Sequence, residues 1–264
     1  MSLDFTGVWK GFAAKTGPHY VLRDVNLSIE PGQFVSFIGH SGCGKSTLLN
    51  MAAGLLAPDA GTISLDGTPV TSPGPDRAVV FQNYSLLPRT DLLDNVRIAV
   101  RAVHPEWSKA HVDGGAERYL TAVGLWEHKH KKPHQVSGGM MQRCAVARAF
   151  AVEPRVLLLD EPFGALDALT RSKLQAQLID LWKSESDTEI VVMVTHGIDE
   201  ATFLSDRIVV MANPPSPSII ETIEVGVVRP RDLATFHDGE RAHAVEEHLM
   251  NVLRSHTVSE ESAA

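Results

Sequence analysis

The apolar and polar positions of this 264-residue chain fall into short β-patterned runs separated by stretches with helical spacing, a pattern that predicts an α/β fold. Residues 3 to 8 and 20 to 29 alternate as two antiparallel strands would, with Lys15-Thr16-Gly17-Pro18 as turn chemistry between them. Glu30-Pro31-Gly32-Gln33 then turns the chain into a buried strand, Phe34-Val35-Ser36-Phe37-Ile38. The run from Thr47 to Ala53 reads as a helix with no breaker before Gly54. Thr62 to Gly67 predicts a strand ending in a turn, and Arg77 to Phe81 a further short strand. No clear strand follows until Val156; Asp91 to Val103 and Ser108 to Val123 carry apolar residues at three- and four-residue spacings instead. Cys144 to Val152 keeps the helical period. Val156-Leu157-Leu158-Leu159-Asp160-Glu161 is too apolar for anything but a central strand, and Glu189 to Val194 is equally apolar. Residues 168 to 183 predict a long polar helix, Asp206 to Met211 and Ile219 to Val225 two more strands, and Glu240 to Leu253 a polar helix. The tail from Ser259 to Ala264 is expected to fray.

One stretch gives this pattern a chemistry. Gly39-His40-Ser41-Gly42-Cys43-Gly44-Lys45-Ser46 obeys the rule G-x-x-x-x-G-K-[ST] and lies between a strand and a helix, the context that a phosphate-binding loop requires. Its glycines let the backbone fold until several N–H groups point at one anion, and the helix start adds roughly half a positive charge. Lys45 is placed to reach the β- and γ-phosphates of a nucleotide, and the Ser46 hydroxyl to ligate Mg²⁺. The alternative is a Gly/Ser turn that binds nothing.

Later segments add partners for such a loop. In Val136-Ser137-Gly138-Gly139-Met140, Ser137 can cap the following helix while two glycines free its first N–H groups, giving a second anion-ready helix start. Asp160 and Glu161 end an apolar strand, where ligands sit in α/β folds. There Asp160 would hold Mg²⁺ through water, and Glu161 would orient and deprotonate an attacking water; the plainer reading is a pair capping the next helix. His196 follows a third buried strand, where a γ-phosphate contact competes with a core or capping role. Trp9, Phe12 and Tyr20 offer π-faces for a purine, with core packing as the alternative for each.

Composition removes classes. With 44% hydrophobic and 21% charged residues the chain is ordinary globular protein, long enough for one domain or one and a half. No run approaches the ~20 apolar residues of a spanning helix, so any membrane role is expected to be peripheral. Met1-Ser2-Leu3-Asp4-Phe5 lacks the basic-then-apolar order of a secretory signal, which predicts a cytoplasmic protein. The net charge of −8 argues against broad attraction to nucleic acid. Cys43 and Cys144 suggest no disulfide framework. Cys43, near a helix start, invites a lowered pKa, against the plainer reading of a small residue that fits the loop. His128-Lys129-His130-Lys131-Lys132-Pro133-His134 lacks zinc-site spacing and reads as a solvated linker.

Four elements therefore stand in order: the phosphate loop, Gln82, a Ser-Gly-Gly helix start, and an apolar strand closed by Asp-Glu. Together, from about residue 3 to about residue 231, they resemble the nucleotide-binding subunit of an ATP-binding-cassette transporter. The resemblance implies a P-loop ATPase core of mostly parallel sheet with an N-terminal antiparallel β-subdomain over 1–88 and 152–225, an inserted helical subdomain over 89–151, and a C-terminal helical extension over 226–264. It implies ATP and Mg²⁺ as cofactors. Gly39 to Ser46 match the Walker A loop with Thr47 beside the α-phosphate, and Gln82 matches the glutamine that joins Mg²⁺ and the attacking water to the helical subdomain. Ser137, Gly138 and Gly139 match the signature, although Val136 and Met140 replace the usual leucine and glutamine. Asp160 matches the Walker B aspartate, Glu161 the catalytic base, Ala165-Leu166-Asp167 the loop crossing the dimer interface, and His196 the switch histidine. The adenine-stacking aromatic aligns best with Phe12, with Tyr20 left open.

The resemblance also implies partners. Two such subunits, identical or closely related, would trap ATP between Lys45 of one and Ser137 of the other, and closing that dimer takes about 5.5 kcal/mol of differential binding. Transmembrane permease subunits would be levered by the motion, at the cytoplasmic face of the inner membrane, with a periplasmic or lipid-anchored binding protein delivering the substrate. Ile38 to Lys45 and Val79 to Pro88 look most like importers of nitrate, with sulfonate, taurine and bicarbonate relatives close behind, and Arg89 stands where those relatives usually carry tryptophan. Two other readings stand beside this one. A soluble cassette acting on DNA or ribosomes lacks support from heptads, a tandem cassette or a basic face; a plain phosphate-loop kinase or GTPase would make 136 to 143 only a capped helix.

Overall fold

The structure is a computed structural model that describes residues 2–14, 17–164, 166–214 and 216–261. Lys15 and Thr16 of the expected turn, Ala165 of the expected interface loop, and Ser262 to Ala264 of the tail lie outside the described residues. The chain runs β1 (Leu3–Ala14), β2 (Gly17–Ile29), β3 (Phe34–Gly39), α1 (Lys45–Ala52), β4 (Ala60–Leu65), β5 (Thr68–Pro69), β6 (Arg77–Val80), α2 (Leu92–Val103), α3 (Lys109–Ala122), α4 (Gly138–Ala151) and β7 (Val156–Asp160). It continues through α5 (Ala168–Asp180), a π-helical turn (Leu181–Glu185), β8 (Ile190–Val194), α6 (Ile198–Leu204), β9 (Arg207–Met211), β10 (Ile219–Glu224) and α7 (Glu240–Glu261). These elements form two compact units, one of residues 1–74 and 190–264, the other of 75–189.

In the first unit β2, β1, β4 and β5 make an antiparallel sheet in that order. The second sheet of this unit has β3 between β9 and β8, both parallel to it, with β10 antiparallel at the outer side of β9. Entry into β3 is set by local chemistry. Gln33 N–H donates to Glu30 O at 3.3 Å, and Glu30 N–H donates to Gln33 Oε1 at 2.9 Å, while Gly32 takes φ +81 after Pro31, the glycine position of a Pro-Gly turn. Every residue of β3 and β8 is buried, as expected for parallel strands covered on both faces. Burying each Phe, Leu or Val of such a strand contributes roughly 1.5–3 kcal/mol. The one polar side chain in β3, Ser36, is satisfied by Ser205, whose hydroxyl oxygen lies 2.5 Å away.

The second unit pairs β6 with β7 in parallel, Val80 opposite Leu159, and packs α2, α3 and α4 against one another. Asp91 caps α2 by accepting from Asp94 N–H at 2.8 Å, and Ser108 caps α3 by accepting from His111 N–H at 3.2 Å. The buried side chain of Asn95 pins the loop before α2: its Oδ1 accepts from Leu87 N–H at 2.7 Å, and its Nδ2 donates to Asp91 O and Thr90 Oγ1, each at 2.9 Å.

Several boundaries differ from the sequence-based expectation. α4 begins at Gly138 behind the Ser137 cap, as the Ser-Gly-Gly start predicts, although its first turns carry no apolar period. α6 and β5 were not anticipated; seven and two residues are too short for a period to show. α7 runs to Glu261 instead of ending near Leu253, so the stretch expected to fray is helical up to that residue. The Lys- and His-rich segment is more than a solvated linker: the carbonyls of Lys131 and Lys129 accept from Leu92 and Leu93 N–H, each at 3.0 Å, closing the start of α2.

Candidate active site

The phosphate loop and His196 belong to the first unit; Gln82, Ser137, Gly138, Gly139, Asp160, Glu161 and Asp167 belong to the second. In the first unit the loop leaves β3 pressed against its neighbours. A Cβ on Gly39 would lie 2.2 Å from the Met211 carbonyl oxygen, and one on Gly44, at φ +96, would lie 2.6 Å from Leu22 Cδ2, so both positions require glycine. Gly44 is the N-cap of α1 and provides no side-chain cap, and no acidic residue occupies the first turn. That leaves a positive helix end suited to an anion. Lys45 is buried, with Nζ donating to Gly39 O at 2.7 Å and to His40 O at 2.8 Å. Ser41 and Gly42 are exposed, while Ser46 and Thr47 are half-buried. The glycine cradle, the uncapped helix start and the lysine folded along the loop fit a nucleotide phosphate chain.

Cys43 fills the inside of the loop, fully buried with Sγ 3.7 Å from Lys45 Nζ. Burial pushes its thiol up, and the nearby Lys45 charge only partly opposes this. The small-residue reading therefore prevails over the activated thiol.

His196 follows β8 two residues after Val194, which lies opposite Phe37 in the parallel register. This places it at the same sheet end as the loop. Its turn is fixed by the buried pair Thr195 Oγ1 and Glu200 Oε2 at 2.5 Å, with Gly197 N–H donating to Thr195 Oγ1 at 3.0 Å. The imidazole itself is exposed. Phe12 and Tyr20, both in the β1–β2 hairpin, are 45% and 37% exposed. Tyr20 is engaged edge-on with Trp9 at 5.8 Å, whereas Phe12 has Lys10 Nζ 5.9 Å from its ring centroid.

In the second unit the β6–β7 register carries Gln82 to the level of Glu161, and Gln82 Nε2 donates to Glu161 Oε2 at 2.8 Å. Glu161 takes a left-handed backbone, φ +47, which costs of order 1 kcal/mol for a side chain of this type and marks a constrained strand end. Asp160 is the last residue of β7. Ser137 Oγ accepts from Met140 N–H at 3.3 Å and caps α4; a Cβ on Gly138 would come 3.1 Å from Tyr84 Oη, and one on Gly139 2.8 Å from Thr170 Cγ2. Asp167 caps α5 through Thr170 N–H at 3.0 Å, and that bond holds its carboxyl below the usual range. Among the described residues no group of three or more His, Cys, Asp or Glu forms a metal-binding cluster.

Sequence reasoning missed the strap that ties the loop after Gln82 to α4. Arg148 donates from Nη1 to Ser85 O at 2.6 Å and from Nη2 to Tyr84 O at 3.1 Å. Tyr84 and Ser85 are both left-handed, φ +63 and +48, so two successive strained residues hang on one guanidinium. The available signal was Arg148 alone amid Ala145-Val146-Ala147 and Ala149-Phe150, a charge inside an apolar face.

The first unit holds a glycine loop with a buried lysine, and the second holds a Gln–Glu pair at a strand end and a Ser-capped glycine helix start. The chain belongs to the ABC transporter family, whose model matches residues 22–164, and it is an ATPase of that family. It is 50% identical over 230 residues to the nitrate import ATP-binding protein NrtD of Synechococcus elongatus, covering 87% of this chain and 83% of that protein. It is likewise 50% identical over 230 residues to the bicarbonate transport ATP-binding protein CmpD of Synechocystis sp., covering 87% and 81%. Among solved structures it is similar to the dimeric post-hydrolysis state of the ATP-binding cassette MJ0796 bound to ADP and Pi, with TM-score 0.75 and 31% identity over 86% of this chain and 100% of the other. No described helix is long and apolar enough to cross a membrane.

Proposed function

We propose that this chain is the ATP-hydrolysing subunit of an importer for a small anion, nitrate or bicarbonate by the names of its relatives. It would work as a dimer on transmembrane permease subunits at the cytoplasmic face of the membrane. In this reading Gly39 to Thr47 hold the phosphates, Phe12 stacks on adenine, and Ser46, Gln82 and Asp160 hold Mg²⁺. Mg²⁺ supplies charge neutralisation between the β- and γ-phosphates. Glu161 takes the proton of the attacking water, and His196 meets the γ-phosphate. Ser137, Gly138, Gly139 and Asp167 serve the nucleotide of the partner copy, and residues 89–151 act as the helical subdomain that meets the permease.

The observation that carries the hydrolytic part is the bond between Gln82 and Glu161, with Glu161 set in a left-handed backbone directly after Asp160. It gives a carboxylate a fixed aim at a strand end, as a general base needs. The test is Mg²⁺-dependent phosphate release by the purified chain, followed by co-purification with its permease. ATP binding without hydrolysis under all conditions would refute the assignment, and hydrolysis without permease association would move the protein to the non-transport cassettes.

A further inference from the structure

We infer that His40 is a positioning residue of the phosphate loop, tethered through its imidazole to the C-terminal helix α7, and that α7 thereby joins the loop to the helix after His196. The inference rests on reading residues 39–46 as the nucleotide loop.

The C-terminal extension is laced to α6 before α7 begins. Arg231 Nη1 donates to the carbonyls of Thr202, Phe203 and Ser205 at 3.1, 2.6 and 2.8 Å, and Arg229 donates to Leu204 O. These carbonyls end α6, where a helix lacks intrahelical donors. Phe236 then meets Phe203 edge-on at 5.4 Å. α7 buries Ala242, Val245 and Leu249 along one stripe. It is also fixed by Arg241 donating to Val225 O at 2.9 Å and by His248 and Glu221, 2.9 Å apart. Between α7 and the start of α6 lies a cleft of about 560 Å³ lined by Ile198, Asp199, His243, Met250 and Arg254.

Beyond that cleft α7 touches the loop. His40 Nε2 lies 3.1 Å from the Leu253 carbonyl oxygen; a carbonyl only accepts, so Nε2 carries the hydrogen. The carbonyl of His40 meanwhile accepts from Lys45 Nζ at 2.8 Å and from Cys43 N–H at 3.4 Å. His40 is thus gripped at both ends. When Lys45 turns toward a phosphate, its bond to the His40 carbonyl is given up. The tether to α7 then holds the loop in its anion-binding shape.

The test is steady-state Mg²⁺-ATP hydrolysis and amide hydrogen exchange on the full chain, comparing the parent with His40→Phe and His40→Gln. His40→Phe, which keeps a ring but has no donor, is expected to raise KM for ATP about 2- to 10-fold, the span of one net hydrogen bond, with kcat within about twofold. His40→Gln, whose amide N–H can reach the same carbonyl, is expected to recover most of the loss. Exchange in residues 249–256 is expected to speed up in His40→Phe without nucleotide. Deleting residues 240–264 should raise KM by the same factor, with His40→Phe adding nothing further. An unchanged KM and unchanged exchange in His40→Phe, or multiplying effects in the combined variant, overturns the tether while the ATPase reading stands. A parent chain that binds no ATP overturns both. Should the deletion fail to fold, the two full-length variants still decide.

Discussion

Gln82 Nε2 and Glu161 Oε2 lie 2.8 Å apart, a contact made between residues that follow neighbouring parallel strands. The amide can report on whatever its loop touches, and the carboxylate is the candidate base, so one hydrogen bond joins the two. Replacing Glu161 by Gln keeps an acceptor for Gln82 but removes the base. We expect turnover to fall ~10²- to 10⁴-fold with ATP affinity retained. Phosphate-release kinetics alongside equilibrium nucleotide binding check this; a parental rate in Glu161→Gln means that another group takes the proton.

Lys45 rests on two loop carbonyls, Gly39 O and His40 O. Lys45→Ala is expected to weaken ATP binding about 10- to 100-fold, the range for a hydrogen bond to a charged group. It should also lower stability by roughly 1–3 kcal/mol, since the same carbonyls lose a donor. Isothermal titration and urea unfolding measure the two effects separately, and parental ATP affinity would remove the loop assignment.

Arg148 holds Tyr84 and Ser85 in left-handed backbone through their carbonyls. Burial holds its guanidinium below the usual range, and the two carbonyls give the partly desolvated ion its acceptors. Arg148→Met removes both bonds at similar length. We expect about 1–3 kcal/mol of destabilisation and a fall in kcat with little change in ATP affinity, because the strap acts on the segment that carries Gln82. Equal losses in kcat and affinity would assign Arg148 to general packing.

Cys144 is buried in α4 with its thiol 3.8 Å from Leu92 O, and burial pushes it up from 9.0 to about 12. Between those values the unfolded chain has lost a proton that the folded chain keeps. Its contribution to stability is therefore complete below about pH 9 and declines as pH rises toward 12. The urea midpoint of the parent should fall between about pH 8.5 and about pH 10.5, more steeply than that of Cys144→Ala. Parallel slopes in the two proteins would show that other groups account for the decline.

Legibility in the sequence follows the range of the interactions. The glycine turn into α1, the Ser137 cap and the Pro-Gly turn into β3 are chemistry within a few residues, and each is present where its local pattern places it. The buried strands β3, β7 and β8 show as apolar runs because parallel strands need no polar face. Arg148 was illegible because its acceptors lie 64 and 63 positions away. The approach of His40 to Leu253 spans 213 positions, beyond any spacing rule. For the thiol of Cys43 the helix start invites activation and the plainer reading is a small residue that fits the loop; burial sets the direction in favour of the latter.

The composition of the first unit has a consequence for synthesis. β3 is followed at once by its loop and α1, yet both of its parallel neighbours, β8 and β9, come from beyond residue 189. As the nascent chain leaves the ribosome, Phe34, Val35, Phe37 and Ile38 must wait, unpaired and apolar, until all of residues 75–189 have been translated. Long-range parallel pairing of this kind is slow and exposed to aggregation, so production in a host should respond to chaperone supply and to lowered temperature.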